Sequence, residues 1–138
     1  MDAEEARALF ASTSVARLAT CDAAGQPHLV PITFALEGDA IVTAVDHKPK
    51  RTTRLRRLAN IAANPRVSVL ADHYEDDWSN LWWVRADGTA SVLEPGTDEH
   101  ADASARLARR YEQYRERAPE GPAIAISVSR WGGWRGAA

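Results

Sequence analysis

Along most of this chain apolar and polar residues alternate with a period of two, and in three places the period lengthens to that of a helix. Residues 3–11 place Ala6, Leu9 and Phe10 on one helical face. Residues 15–21 alternate as a strand, and Asp22 to Gly25 reads as a turn. A second strand over residues 27–36 closes in the turn Glu37-Gly38-Asp39, and a third covers residues 40–45. Two hairpins in succession predict an antiparallel meander, not a βαβ unit. Pro31, inside the second strand, marks an edge, a bulge or an opening towards a ligand.

Thr52 or Thr53 can cap a helix reaching Ala63, where Asn64-Pro65 stops it. Strand patterns follow at residues 66–73 and 81–93, the latter with a bend expected at Asp87-Gly88. Pro95 and Thr97 open a polar helix to about residue 117, and residues 123–129 form the last strand. The expectation is a mainly β, α+β chain: a six-stranded antiparallel closed or split β-barrel with two or three flanking helices. The 138 residues carry no repeat, linker or low-complexity stretch and are read as one domain, residues 1–138.

Charge changes this picture in one place. The chain holds 15 Arg and only 2 Lys, at net charge −2. Seven of these 17 cations lie between His47 and Ala71, where no acid occurs. On a helical wheel with Arg51 at zero, Leu55, Leu58 and Ala62 fall within about 40° and form the core stripe. Lys50, Arg54 and Arg57 gather on one flank of it, while Arg56 points elsewhere. Cations packed on one side of a helix repel unless an anion relieves them, and a helix start adds free N–H groups. The cluster therefore reads as a site for a phosphorylated ligand, against the plainer reading of a solvated basic face.

Other features exclude chemistry more than they add it. A pI near 6.1 argues against a general nucleic-acid binder. No apolar run reaches the roughly 20 residues that span a bilayer. The acidic start and the single Cys21 point to a cytoplasmic protein without a disulfide. No histidine pair or carboxylate set stands at metal-ligand spacing, and Walker, Gly-x-Ser-x-Gly and Gly-x-Gly-x-x-Gly motifs are missing. Strict alternation puts His28, Val30 and Ile32 on one side of their strand, with Leu29, Pro31 and Thr33 on the other. Of five tryptophans, Trp82 and Trp83 face opposite ways, so one belongs to the core and the other to an interface or pocket. No residue stands out as a catalytic proton donor; solvent or a tyrosine would serve.

Several strings together carry a resemblance: Ala16-Arg-Leu-Ala-Thr20, Gly25-x-Pro-His-x-Val-Pro-Ile-Thr-Phe34, and Thr43-Ala-Val-Asp-x-Lys-Pro-Lys-Arg-Thr-Thr-Arg-Leu55. Asn64-Pro-Arg-Val67, Asp72-His-Tyr-x-x-Asp-Trp78 and Leu81-Trp-Trp-Val-Arg-Ala-Asp-Gly-x-Ala90 extend it. They resemble the pyridoxamine-phosphate-oxidase-like split β-barrel superfamily, and within it the actinobacterial branch of oxidoreductases that use the deazaflavin coenzyme F420. The resemblance implies an FMN-binding-protein-like barrel, a homodimer with cofactor sites at the subunit interface, and a small-molecule substrate. It implies ring contacts from His28, Val30, Pro31 and Thr33 with Thr43 nearby. Phosphate and acidic-tail contacts would come from Lys48, Lys50, Arg51, Thr52 and either Arg54 or Arg57. FMN-using relatives carry a Lys where this chain has Arg57, and a surplus of cation suits a coenzyme with a phosphodiester and a polyglutamate tail. FMN is the alternative cofactor, and a non-catalytic F420 carrier is the alternative role.

Overall fold

A computed structural model describes residues 1–45 and 51–137, with side-chain detail in the helix at Arg51 beginning at residue 56. Helix α1 (Ala3–Ala11) starts at Asp2, whose carboxylate accepts the Glu5 N–H at 2.8 Å, and buries Ala6 and Phe10. Strands β1 (Ala16–Cys21) and β2 (Pro27–Ile32) form the first hairpin. Then come β3 (Ala35–Glu37) and β4 (Ala40–Ala44), joined through Gly38 at φ 59°. Helix α2 (Arg51–Ala63), β5 (Arg66–His73) and β6 (Trp82–Leu93) follow. Helices α3 (Asp98–Arg110) and α4 (Glu112–Glu116) lead into the long β7 (Ala123–Arg135).

The expected barrel is present, with seven strands in place of six because the span 27–36 divides in two at Thr33-Phe34. The strand order is β2-β1-β5-β6-β7-β4-β3, antiparallel throughout. That order and the short link between β2 and β3 together dictate the shape. Laid flat, the outermost of seven strands would stand about 29 Å apart at ~4.8 Å per step. The chain from Ile32 to Ala35 spans at most about 11 Å. The sheet must curl until its two edges meet, closed there by covalent continuity and not by a ladder. Pro31 accordingly sits on an edge strand, where its missing N–H costs nothing.

Inside the curl lies the main core, in which Phe10, Leu18, Phe34, Ile41, Val69, Val84, Ile124 and Ile126 are fully buried. Phe10 packs on Phe34 at 4.7 Å between ring centroids and edge-on to Trp131 at 5.4 Å. A smaller core, built on Ala35, Val42, Ala44, Ala103, Leu107 and Ala123, seats α3 on the strands of the second edge. Of the tryptophan pair, Trp82 is buried and Trp83 is half-buried on the outer face.

The polar helix expected from Pro95 to residue 117 is two helices, because Tyr111 adopts extended backbone, φ −118° and ψ 123°. The last strand runs six residues beyond the expected end at Ser129, since β6 is long enough to pair with it through Trp82↔Arg135. The expected bend at Asp87-Gly88 is a register shift against β7. A Cβ on Gly88 would stand 2.2 Å from the Ser127 carbonyl oxygen, so no larger residue fits there. Gly88→Ala should lower unfolding free energy by about 1–3 kcal/mol in denaturant melts. Gly132→Ala, which meets nothing within 4 Å, should be close to neutral.

Candidate functional site

The break between β2 and β3 leaves the backbone groups of Thr33 and Phe34 without a strand partner, and side chains take over. Thr43, fully buried, donates its hydroxyl to the Thr33 carbonyl at 2.7 Å. The Phe34 N–H donates to the Tyr111 hydroxyl at 3.1 Å, and that hydroxyl reaches the Phe34 and Ser14 carbonyls, each at 2.9 Å. Arg110 donates to the Phe34 carbonyl at 2.7 Å and to the Ala11 carbonyl at 3.1 Å, and also bonds the Thr13 carbonyl. Its guanidinium lies 4.4 Å from the Phe34 ring centroid. Burial raises the Tyr111 hydroxyl above its ordinary pKa, which keeps it neutral in this role.

On the cavity side of the break, Thr33 Oγ1 and the Tyr114 hydroxyl are 2.9 Å apart. They belong to the lining of a cavity of about 360 Å³, completed by Val15, Pro31, Ile32, Ala44 and Arg57. This volume lies within the range of small-molecule sites. Helix α2, which supplies Arg57, is held to the barrel by a buried bond from the Asn60 amide to the Thr20 hydroxyl at 3.1 Å. Ile61, on the same helix, is buried in the main core.

Three residues expected from the sequence, Pro31, Thr33 and Arg57, therefore meet around one cavity. His28 and Val30 lie farther along β2, both half-buried on the inward side as alternation requires, and Val30 packs against the main core. Burial, then the Arg56 and Arg57 charges, hold the His28 imidazole below its ordinary value. Arg56, which the wheel sets apart from the basic flank, is thus close enough to act on β2. Thr43 is wholly buried beneath Thr33 and serves the backbone of the site. Lys48 and Lys50 lie outside the described residues. Arg51 and Thr52 occupy the first turn of α2, and their side chains lie outside the description.

Sequence reading overlooked Tyr114, Val15, Ile32 and Ala44 in the lining, and Arg110 and Tyr111 behind it. The one available signal was Arg110-Tyr111 followed by Tyr114, bulky residues late in an otherwise polar helix. A larger space of about 640 Å³ lies at the other end of the β1–β2 hairpin, among Cys21, Pro27, Arg66, Ser68 and Asp87. Its carboxylate is already engaged: Asp87 accepts from Ser68 at 2.7 Å and pairs with Arg85 at 3.3 Å. Among the described residues no three His, Cys, Asp or Glu side chains group as metal ligands. Nor is any helix among them long and apolar enough to cross a membrane.

Solved structures share this fold at low sequence identity. An FAD-binding protein of Mesorhizobium loti superposes with a TM-score of 0.74 at 22% identity, covering 96% of this chain and 94% of its own. A heme storage protein of Vibrio cholerae gives 0.73 at 17%, over 96% and 93% of the two chains. The FAD-binding protein of Mycobacterium smegmatis gives 0.66 at 18%, over 100% and 98%. No curated protein matches the chain. The family model for pyridoxamine 5'-phosphate oxidase matches residues 2–135, and with nearly the whole length so covered the chain belongs to that family.

Proposed function

We propose that this protein is an oxidoreductase that binds coenzyme F420 at the β2 edge, where the reduced deazaflavin would supply a hydride to an organic acceptor. The observation that carries the reading is the single cavity joining the edge residues Pro31 and Thr33 to the Arg57 cation. A planar anionic cofactor needs both an apolar edge and a charge anchor, and these residues provide them. Pro31 and Ile32 offer apolar surface, while Val30 and His28 continue the same strand. Thr33 offers a hydroxyl whose backbone is fixed by Thr43. Arg57 takes the phosphate, assisted by Lys48, Lys50, Arg51 and Thr52. Burial and the adjacent cations keep His28 neutral at pH 7, so its ring can bond or stack without adding a further charge.

The outer face of the same edge supports the homodimer. Registered pairs put Pro31, Arg17 and Leu70 in one row and Leu29, Ala19 and Ser68 in the next, all on the outer face. Leu29 is 67% exposed there, and Leu70 is exposed as well. Pro31 belongs both to this face and to the cavity lining, so a second copy seated on the face would border the cofactor site. The cytoplasm, implied by the lone Cys21, is the compartment that fits this chemistry.

The solved structures named for FAD and for heme favour two further occupants, a flavin such as FMN and a heme. Tryptophan-fluorescence titration with coenzyme F420, FMN and hemin in parallel should show micromolar quenching by coenzyme F420 and weaker responses to the others. Tighter binding of FMN or hemin would replace the cofactor assignment. A bound reduced coenzyme that no enone, quinone or tetrapyrrole reoxidises would make the protein a carrier.

Arg57→Gln should weaken coenzyme binding by about 1.5–3 kcal/mol, the scale of a charge-assisted hydrogen bond. Sedimentation equilibrium should find a dimer, and Leu29→Glu with Leu70→Glu should dissociate it. In an NMR titration His28 should protonate only below pH 6.5, and Arg56→Gln should move its midpoint upward. The sign follows from a folded value lower than the unfolded one: this residue's contribution to stability is kept above the unfolded value and lost as pH falls through it towards the folded one.

A further inference from the structure

Two tyrosines three residues apart reach the break between β2 and β3, and hydrogen-bond accounting separates them. The Tyr111 hydroxyl has one proton and two lone pairs, and it meets the Phe34 N–H and the carbonyls of Phe34 and Ser14. Its one proton is committed to those carbonyls, so it has no donor left for a ligand. Tyr114 differs. Its hydroxyl meets only Thr33 Oγ1 among the described residues, at 2.9 Å. Two hydroxyls bring two protons, and one bond between them uses one. The Thr33 carbonyl takes its hydrogen bond from Thr43, and neither hydroxyl of the pair donates to it. The pair is therefore left with one unused O–H, and both residues line the cavity that Arg57 also lines.

The ring of Tyr114 is held in place for this purpose. It packs edge-on against Tyr111 with centroids 5.8 Å apart, and Tyr111 is fixed to the strand break by its own bonds. Helix α4 has only five residues, Glu112–Glu116, and Tyr114 lies at its centre, one turn after the extended Tyr111. The cavity thus presents a cation from α2 and a neutral donor from α4 and β2. A ligand that fills both needs an anionic group and a separate uncharged acceptor.

We infer that the Thr33–Tyr114 hydroxyl pair donates a hydrogen bond to a carbonyl oxygen of the bound ring, making Tyr114 a binding residue for the carbonyl and imide edge of a flavin-like ligand. This assignment rests on the reading of the cavity as a ring site, and it selects among rings: a carbonyl-bearing heterocycle gains the bond, whereas a ring with a purely hydrocarbon edge does not.

The test compares wild type, Tyr114→Phe, Thr33→Val and Thr33→Ser, each titrated with coenzyme F420 and with FMN while the visible absorption band of the ring is recorded. Tyr114→Phe should weaken binding of the preferred ring about fivefold, as expected for loss of one neutral hydrogen bond, and should shift its absorption band. Thr33→Val should do the same, and Thr33→Ser, which keeps the hydroxyl, should restore affinity and band position. The Thr33 pair separates the bond from a packing effect, because Thr33→Val keeps the side-chain shape and loses the hydroxyl whereas Thr33→Ser keeps the hydroxyl and loses a methyl group. Wild-type binding with unchanged affinity and spectrum in Tyr114→Phe would overturn the assignment and leave the ring site standing. Failure of the wild type to bind either ring would overturn both.

Discussion

The structure turns on two residues that belong to no strand. Thr33 and Phe34 join the opposite edges of a seven-stranded sheet, so their backbone groups stand where no neighbouring strand can reach them. An unsatisfied buried polar group costs about 1–3 kcal/mol, and several would accumulate here. Arg110, Tyr111 and Thr43 remove that penalty. Arg110 binds carbonyls on both the α1–β1 connection and the break, so one side chain ties the first helix, the sheet edge and α3 together. The curl of the sheet, the seat of α3 and the position of Tyr114 all follow from satisfying these few atoms.

The same constraint produces the site. A closed ladder at this position would have buried Pro31 and Thr33 between strands. Because the edges meet through covalent chain alone, a gap remains beside them. Helix α2 comes up to this gap, held from behind by the Asn60–Thr20 bond and the buried Ile61. Its Arg57 therefore faces an edge already equipped with apolar and hydroxyl groups. Burial, and then the charge on this helix, hold the imidazole of His28 on the adjoining strand below its ordinary pKa.

Much of this was readable in the residues. The alternating segments of β1, β5 and β6 lie within a residue or so of where the pattern put them, because half-buried antiparallel strands write their two faces directly into the sequence, while β4, buried on both faces, was legible as a short apolar run after a turn. The register shift at Gly88 was signalled by a glycine within a strand. The division of β2 from β3 was not readable: alternation continues through Thr33-Phe34, and the groups that interrupt the strand are 76 and 77 residues away. The extension of β7 through Gly132-Gly133 was hidden as well, since glycines disfavour strands and only the long β6 beside them supplies the ladder. Of the site, the β2 edge and Arg57 were legible as pattern and charge. Tyr114 was not, because nothing local tells which of two tyrosines spends its hydroxyl on the backbone.

The central claim is that side-chain bonds at the strand break hold the barrel edge open. Amide hydrogen exchange at Phe34, in wild type and in Tyr111→Phe, tests it most directly. The Phe34 N–H donates to the Tyr111 hydroxyl and not to a strand. The account predicts a protected amide in the wild type and markedly faster exchange in the variant, with strand amides of β5 and β6 unchanged. Equal protection of Phe34 in the two proteins would contradict it.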